Sequence, residues 1–298
     1  MRDSIIQFFN QTIVMKYTLP HGEVNKSVWT TLDNDYCFSH STDEDVAKII
    51  YESIIDYAFN DDEIAAEEDL NILQREAIAS RLRFEESDAN PTKERYGFYG
   101  EVLFNTLLRA KCRTTPIIAK GFFYDPLRPG ENYGYDSFHI VKTTNVTRLW
   151  FGEVKFHQSY QSAVDSVFEK IGEALSNDYL RTNLLAIVPK KRDLNIDDET
   201  VNGIINRLRR DPKVSIASLH EEFQLRLMYP VFIICNSLRE YDTTIDHMIN
   251  YINQQTIERQ DLDIPVDVFF MFLPIGDAKR IKQTVIEWIE SNQQLTLL

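Results

Sequence analysis

Short apolar runs alternate with helical segments through the second half of the chain. The runs at 184–188, 231–235 and 266–272 have the length and composition of strands that are buried on both faces. Apolar residues at helical spacing before, between and after these runs predict helices at 159–177, around 245–252 and at 278–289. Strands that alternate with helices predict an α/β fold with a mixed central sheet flanked by helices.

The first 90 residues are acidic and mostly helical in pattern. Short strands are predicted at 12–15 and 27–30. A helix is predicted to begin after Thr42, because a possible N-cap is followed by three acidic residues. A second helix is predicted at 67–84. The two helices pack on the core in the simpler interpretation, and in the alternative they form a surface for docking a partner.

A polar segment at 85–91 ends in Asn90-Pro91, which predicts a boundary. We therefore expect an N-terminal, mostly helical extension at 1–90 and an α/β core at 91–298.

The core begins with a predicted helix at 95–110. Glu101 lies on the same face as Phe98, Phe104 and Leu108. Glu101 either sits at the edge of this apolar face and reaches water, or it is an acidic group directed at a functional site.

The next part of the chain predicts a hairpin that carries acidic residues. Strands are expected at 116–119 and 122–124, followed by a turn rich in Pro and Gly at 125–130. A strand with Asp136, a polar turn at 142–145 and a strand at 149–156 then predict an antiparallel hairpin. This hairpin would bring Asp136 and Glu153 within reach of one ion.

Glu153 and Lys155 are the least expected residues of the strand at 149–156. Period-two alternation places them on one face with Leu149 and Phe151. A carboxylate and an ammonium are costly to desolvate unless they are paired or bind a metal. With Asp136 they would suit metal-assisted cleavage of phosphodiesters, since hard oxygen ligands hold Mg²⁺ and a lysine can orient the attacking water.

Two simpler interpretations stay open. Asp136 could cap the backbone of a turn. Glu153 and Lys155 could form an ion pair on the strand, worth roughly 0.2–1 kcal/mol, that needs no metal.

The pattern Asp136 … Glu153-Val154-Lys155 resembles the active-site signature of the PD-(D/E)xK, or restriction-endonuclease-like, nucleases. Tyr135 precedes Asp136 where the signature has Pro, a position that is loosely kept in that superfamily. The length and the order of elements also resemble HamA, the nuclease-type subunit of the bacterial Hachiman anti-phage system, which works beside the helicase subunit HamB.

These resemblances imply a restriction-endonuclease-like core that hydrolyses DNA with Mg²⁺ or Mn²⁺. Asp136, Glu153 and the carbonyl of Val154 would hold the ion, and Lys155 would position the attacking water. Glu101 would assist or hold a second ion, because many nucleases of the superfamily have a Glu on the preceding helix. A helicase similar to HamB would control access to DNA.

One element of the superfamily is missing. The RecB-like branch has a Gln-x-x-x-Tyr element in the helix after the motif, and this chain does not. Gln158 and Gln161 are therefore weak candidates, and His157 is assigned no role.

The net charge of −14 is unusual for a protein that binds DNA by itself. Either the chain does not bind nucleic acid, or it binds through a local basic strip, or a partner brings the DNA. The most basic part of the sequence comprises Lys190, Lys191, Arg192, Arg207, Arg209, Arg210 and Lys213. It could contact phosphate or simply be a solvated face. The acidic charge also favours an alternative function, a non-catalytic docking or regulatory subunit built on a nuclease scaffold.

The sequence gives little support for other classes of protein. No apolar run approaches the roughly 20 residues of a membrane helix, and the N-terminus lacks the pattern of a signal peptide. The three cysteines are scattered, which predicts reduced thiols in a cytoplasmic protein and argues against a zinc site. The chain has no P-loop, nucleophile elbow or Rossmann glycine pattern.

Overall fold

The computed structural model describes residues 1–25, 34–125, 134–143, 146–238, 240–256, 262 and 264–297. The strands are β1 Ile13–Thr18, β2 Tyr36–His40, β3 Thr115–Pro116, β4 His139–Lys142, β5 Thr147–Trp150, β6 Glu153–Phe156, β7 Leu225–Asn236 and β8 Val266–Ile275. The helices are α1 Asp3–Thr12, α2 Asp43–Glu52, α3 Ile54–Ala58, α4 Asp61–Ala66, α5 Leu70–Ser80, α6 Asn90–Lys93, α7 Phe98–Ala110, α8 Tyr160–Ala174, α9 Asn177–Ile187, α10 Glu199–Arg210, α11 Ile216–Phe223, α12 Tyr241–Asn253 and α13 Ala278–Glu290. None of these helices is long and apolar enough to cross a membrane.

The strands form one mixed sheet around β7 and β8. Its order is β1-β2-β8-β7-β5-β4-β3, and β6 also pairs with β7. β7 runs parallel to β8, to β5 and to β6, and β2 runs parallel to β8. The pairs β1–β2, β3–β4 and β4–β5 are antiparallel. The predicted α/β fold with a mixed sheet flanked by helices is confirmed.

Successive residues of β7 alternate between two apolar cores. Tyr229, Val231 and Ile233 pack in one core with residues of α8 to α12. Phe232 and Ile234 pack in the other core with residues of α1 to α5, α7 and α13. Because helices cover both faces, the central strands are apolar on both sides, as expected of a buried parallel sheet.

The N-terminal part contributes strands to this same sheet. The strand predicted at 12–15 is confirmed as β1, and the strand predicted at 27–30 lies outside the described residues. Thr42 caps α2 as predicted, since its Oγ1 accepts a hydrogen bond from the Asp45 N–H at 3.0 Å. The second helix is shorter than predicted because Asp69 caps α5. The boundary at Asn90-Pro91 stays a prediction.

The strand predicted at 184–188 is wrong. These residues form the last turn of α9 and the start of a 3-10 segment, Val188–Asp193. Leu180, Leu184 and Ile187 are buried at helical spacing. A short apolar run fits a buried strand and a buried helix equally well, so the run alone could not decide between them.

The segment before the hairpin also differs from the prediction. Residues 122–124 were predicted as a strand, but Lys120–Phe123 forms a 3-10 helix. Of the strand predicted at 116–119, only Pro116 lies in a strand, the two-residue β3. The turns predicted at 125–130 and 142–145 lie largely outside the described residues.

Candidate active site

An interruption at 151–152 divides the strand predicted at 149–156 into β5 and β6. Both halves keep one register with β7, in which Trp150 lies opposite Met228 and Glu153 opposite Val231. Side chains therefore continue to alternate across the break. Leu149 and Phe151 lie in the α8–α12 core, and Trp150, Val154 and Phe156 lie in the other core.

Pro230 of β7 explains the interruption. The Phe151 N–H donates to Met228 O at 3.1 Å, so even-numbered residues of β7 direct their backbone groups towards β5 and β6. Pro230 is one of these residues, and proline has no N–H to donate to the ladder. Gly152 lies beside it, and a Cβ at Gly152 would collide with the Pro230 carbonyl oxygen. Only glycine allows this close approach of two backbones.

The segment 135–137 occupies the open edge of β6 at this break. The Asp136 N–H donates to Gly152 O at 3.0 Å, and the Gly152 N–H donates to Ser137 Oγ at 3.0 Å. The Val154 N–H donates to Asp136 Oδ2 at 2.8 Å. Asp136 precedes β4 and is not in a strand, so its predicted strand position is wrong. The predicted hairpin is confirmed as β4–β5, and it brings Asp136 beside Glu153 and Val154.

The Val154 carbonyl faces the same edge as Asp136. In an extended strand the N–H and C=O of one residue point to the same side. Since the Val154 N–H donates to Asp136, the Val154 carbonyl oxygen lies on that side as well. One carboxylate and one backbone oxygen are thus presented at the open edge of β6.

Glu153 and Lys155 lie together at the floor of the site. Glu153 is 6% exposed, and the Lys155 ammonium donates to its Oε1. Burial and the charge of Asp136 raise the pKa of Glu153, against the opposing effect of Lys155. Burial lowers the pKa of Lys155, but Glu153, Asp136 and Glu101 outweigh it and leave the pKa above its ordinary value.

Glu101 is directed into the same space from α7. Its Oε2 accepts a hydrogen bond at 2.5 Å from the hydroxyl of Tyr57, which is buried in α3. Burial and then the charges of Glu101 and Asp136 raise the pKa of Tyr57 well above its ordinary value, so its hydroxyl stays protonated and donates. Glu101 is half-buried and lines the same cleft as Asp136 and Glu153, and its role there stays a prediction.

A cleft of about 1010 Å³ contains all of these groups. Glu101, Asp136, Glu153, Val154 and Lys155 line it together, so the structure brings the predicted site residues into one space. Lysines and arginines from distant parts of the chain line its walls, namely Arg81, Arg83, Arg95, Lys170 and Lys282. His157 and Gln158 also line the cleft, whereas Gln161 does not.

The side chains of the cleft suit a hard divalent cation. The available atoms at the edge of β6 are carboxylate and carbonyl oxygens, which Mg²⁺ and Mn²⁺ prefer. A cation there would relieve the repulsion between Asp136 and the buried Glu153. No group of three or more His, Cys, Asp or Glu side chains within the described ranges is placed to hold a metal ion. Two carboxylates and one backbone carbonyl would leave the other positions around Mg²⁺ to water, which this ion commonly keeps as ligands.

Several residues of the cleft carry no signal in the sequence. Tyr57 lies in the acidic N-terminal part, Tyr179 in α9 and Lys282 in α13. Each of these residues lies in a helix whose sequence shows only the apolar spacing of a packed helix. No local pattern therefore marks any of them as part of a site. The basic residues singled out in the sequence, from Lys190 to Lys213, do not line the cleft. Arg207 instead pairs with Asp211 and Glu222.

The sheet and this cleft define an α/β protein with a carboxylate–lysine site at the edge of a central strand. The HamA family model matches residues 8–289, and the chain belongs to the HamA family. No curated protein and no solved structure matches it.

Proposed function

We propose that the chain is a metal-dependent nuclease that hydrolyses phosphodiester bonds of DNA. The observation that carries this proposal is the arrangement around β6. The backbone of Gly152 and Val154 holds Asp136 beside the buried pair of Glu153 and Lys155. The site opens into a cleft of about 1010 Å³ that lysines and arginines also line.

Asp136, Glu153 and the Val154 carbonyl would hold Mg²⁺ or Mn²⁺. The bound ion would supply Lewis-acid stabilisation of charge on the phosphate. Lys155, which donates to Glu153 at the same place, would orient the attacking water and stabilise negative charge on the phosphate. Glu101, held by Tyr57, would help to position the water or a second ion.

A role in Hachiman anti-phage defence follows from membership of the HamA family. In that role a helicase partner similar to HamB would bring DNA to the nuclease and control its access. The net charge of −14 supports a partner of this kind, because the chain repels DNA at long range.

A non-catalytic docking or regulatory subunit is the second candidate. The acidic charge favours it, as does the ion pair of Lys155 with Glu153, which can stabilise the fold without a metal. The two candidates differ in what Asp136 and Glu153 do in the presence of Mg²⁺.

The test compares cleavage of plasmid and linear DNA by the wild type, Asp136→Asn, Glu153→Gln and Lys155→Ala, with Mg²⁺ and with the neighbouring helicase and ATP. We expect each substitution to lower the cleavage rate by about 100-fold or more, since each removes charge stabilisation from the transition state. Glu169→Gln is the matched control, because Glu169 is an exposed carboxylate in the same cleft. It should keep the wild-type rate.

Metal binding separates the candidates further. Mg²⁺ should raise the unfolding temperature of the wild type and of Glu169→Gln, but not that of Asp136→Asn. Equal stabilisation of Asp136→Asn, together with absence of cleavage by the wild type, would establish the docking subunit instead.

A further inference from the structure

Lys282 is a partly buried cation in the wall of the cleft. It lies in α13, and its Nζ donates to the Phe156 carbonyl oxygen at 3.0 Å. The same ammonium lies 4.8 Å from the ring centre of Phe156 and 5.6 Å from that of Tyr99. The carbonyl and the two rings hold the ammonium in one place.

Lys282 has no carboxylate partner in the part of the chain that the structure describes. The charge of Glu94 raises the pKa of Lys282, but Glu94 Oε1 accepts a hydrogen bond from Gln283 Nε2 at 2.8 Å. Lys93 differs from Lys282 in this respect, because Lys93 is buried and its ammonium pairs with the Glu290 carboxylate at 2.7 Å. Buried cations are normally paired, because desolvating a lone charge is costly. Burial lowers the pKa of Lys282 to about 8, as expected of a cation whose counter-ion is missing.

The hydrogen bond to Phe156 places Lys282 beside β6, near the candidate active site. Phe156 follows Lys155 directly and lies two residues beyond Val154 on β6. Two residues of an extended strand span roughly 7 Å. That offset is comparable to the separation of successive phosphates in an extended nucleic-acid strand. His157 lies near both cations, because Lys282 and Lys155 each lower its pKa.

We propose that Lys282 binds a phosphate of the substrate that neighbours the one that is cut. An ammonium has three donors, and Phe156 accepts from one of them. The remaining two are available to phosphate oxygens in the cleft. This subsite rests on the proposed nuclease function, and it accounts for how a chain with an acidic balance holds a phosphate strand in place.

The test measures binding of a fluorescein-labelled DNA oligonucleotide, as a single strand and as a duplex, by anisotropy over a range of KCl concentrations. Glu153→Gln serves as the background so that cleavage does not interfere, and the helicase is present in a parallel series. Lys282→Gln should weaken binding roughly tenfold, as expected for loss of a charged hydrogen bond. The slope of log affinity against log salt should become less negative by about 0.7–0.9, the contribution of one phosphate contact.

Lys279→Gln is the matched control, because Lys279 is exposed on the same helix and does not line the cleft. It should leave the affinity and the slope at the values of the background protein. Lys282→Arg should keep the slope. Lys282→Met, which retains the packing on the two rings, repeats the test if Lys282→Gln lowers the unfolding temperature.

The outcomes distinguish the subsite from the nuclease function. If the background protein binds DNA and Lys282→Gln behaves like Lys279→Gln, the subsite is overturned while the nuclease function stands. If Lys282→Gln has the expected effect but the wild type does not cleave, Lys282 is a phosphate contact for bound DNA and the nuclease function fails. Absence of binding by the background protein, alone and with the helicase, would overturn both.

Discussion

Glu153 is buried at the floor of the cleft, where its carboxylate faces the charge of Asp136 as well as that of Lys155. Because its pKa is raised in the folded state, folding favours its protonated form. The corresponding contribution to the free energy of unfolding is present at low pH and is lost as the pH rises through the raised pKa. Buried charged groups in natural active sites commonly lower the stability of the fold.

Glu153→Gln should therefore stabilise the metal-free protein at high pH. In EDTA at pH 8 we expect its free energy of unfolding to exceed that of the wild type by about 1 kcal/mol, and the difference should shrink at pH 5. Urea unfolding at the two pH values measures this. Glu169→Gln should show no such pH-dependent difference. A Glu153→Gln variant that is less stable at pH 8 would mean that pairing with Lys155 outweighs burial.

The break between β5 and β6 creates the candidate site. Pro230 removes one ladder hydrogen bond, Gly152 allows two backbones to approach, and the segment 135–137 bonds to the exposed edge. A break in one strand thus positions a carboxylate from another part of the chain, as breaks near functional sites often do.

Gly152→Ala should disturb both stability and the site. Its Cβ would meet the Pro230 backbone, which cannot move without shifting β7. We expect the free energy of unfolding to fall by about 2 kcal/mol, with loss of Mg²⁺ stabilisation. Gly100→Ala is the comparison, because its Cβ would meet only side-chain atoms, the nearest being Val154 Cγ2 at 3.3 Å. Urea unfolding and thermal shifts with Mg²⁺ report both effects, and equal results for the two variants would contradict this account of the break.

The N-terminal part of the chain contributes strands to the sheet and side chains to the cleft. β2 pairs with β8, and residues of α2, α3 and α7 share one apolar core. Tyr57, Arg81 and Arg83 bring side chains from the first 90 residues into the cleft. The proposed site is therefore shared between the two sides of the predicted boundary.

The fragment 91–298 should not fold by itself. Removing residues 1–90 exposes the edge of β8 and part of one face of the sheet, where large apolar side chains such as Phe269 and Met271 are buried. Circular dichroism and urea unfolding should show no cooperative transition for the fragment, in contrast to the full chain. A cooperative transition in the fragment would establish Asn90-Pro91 as a true domain boundary.

Local patterns in the sequence were sufficient for the fold class and for much of the candidate site. Alternation with period two placed Glu153 and Lys155 together, and it survived the break because β5 and β6 keep one register with β7. Helical spacing placed Glu101 on the face of α7 that carries Phe98 and Phe104. These features depend on the geometry of neighbouring residues, which the sequence contains directly.

Tertiary structure alone decided the helical state of 184–188, the irregular position of Asp136 and the entry of Tyr57 and Lys282 into the cleft. Asp136 is placed by hydrogen bonds to residues far along the chain. Lys282 reaches Phe156 only because α13 packs against the sheet. Such positions depend on which distant surfaces meet in the folded chain, and local periodicity carries no information about those contacts.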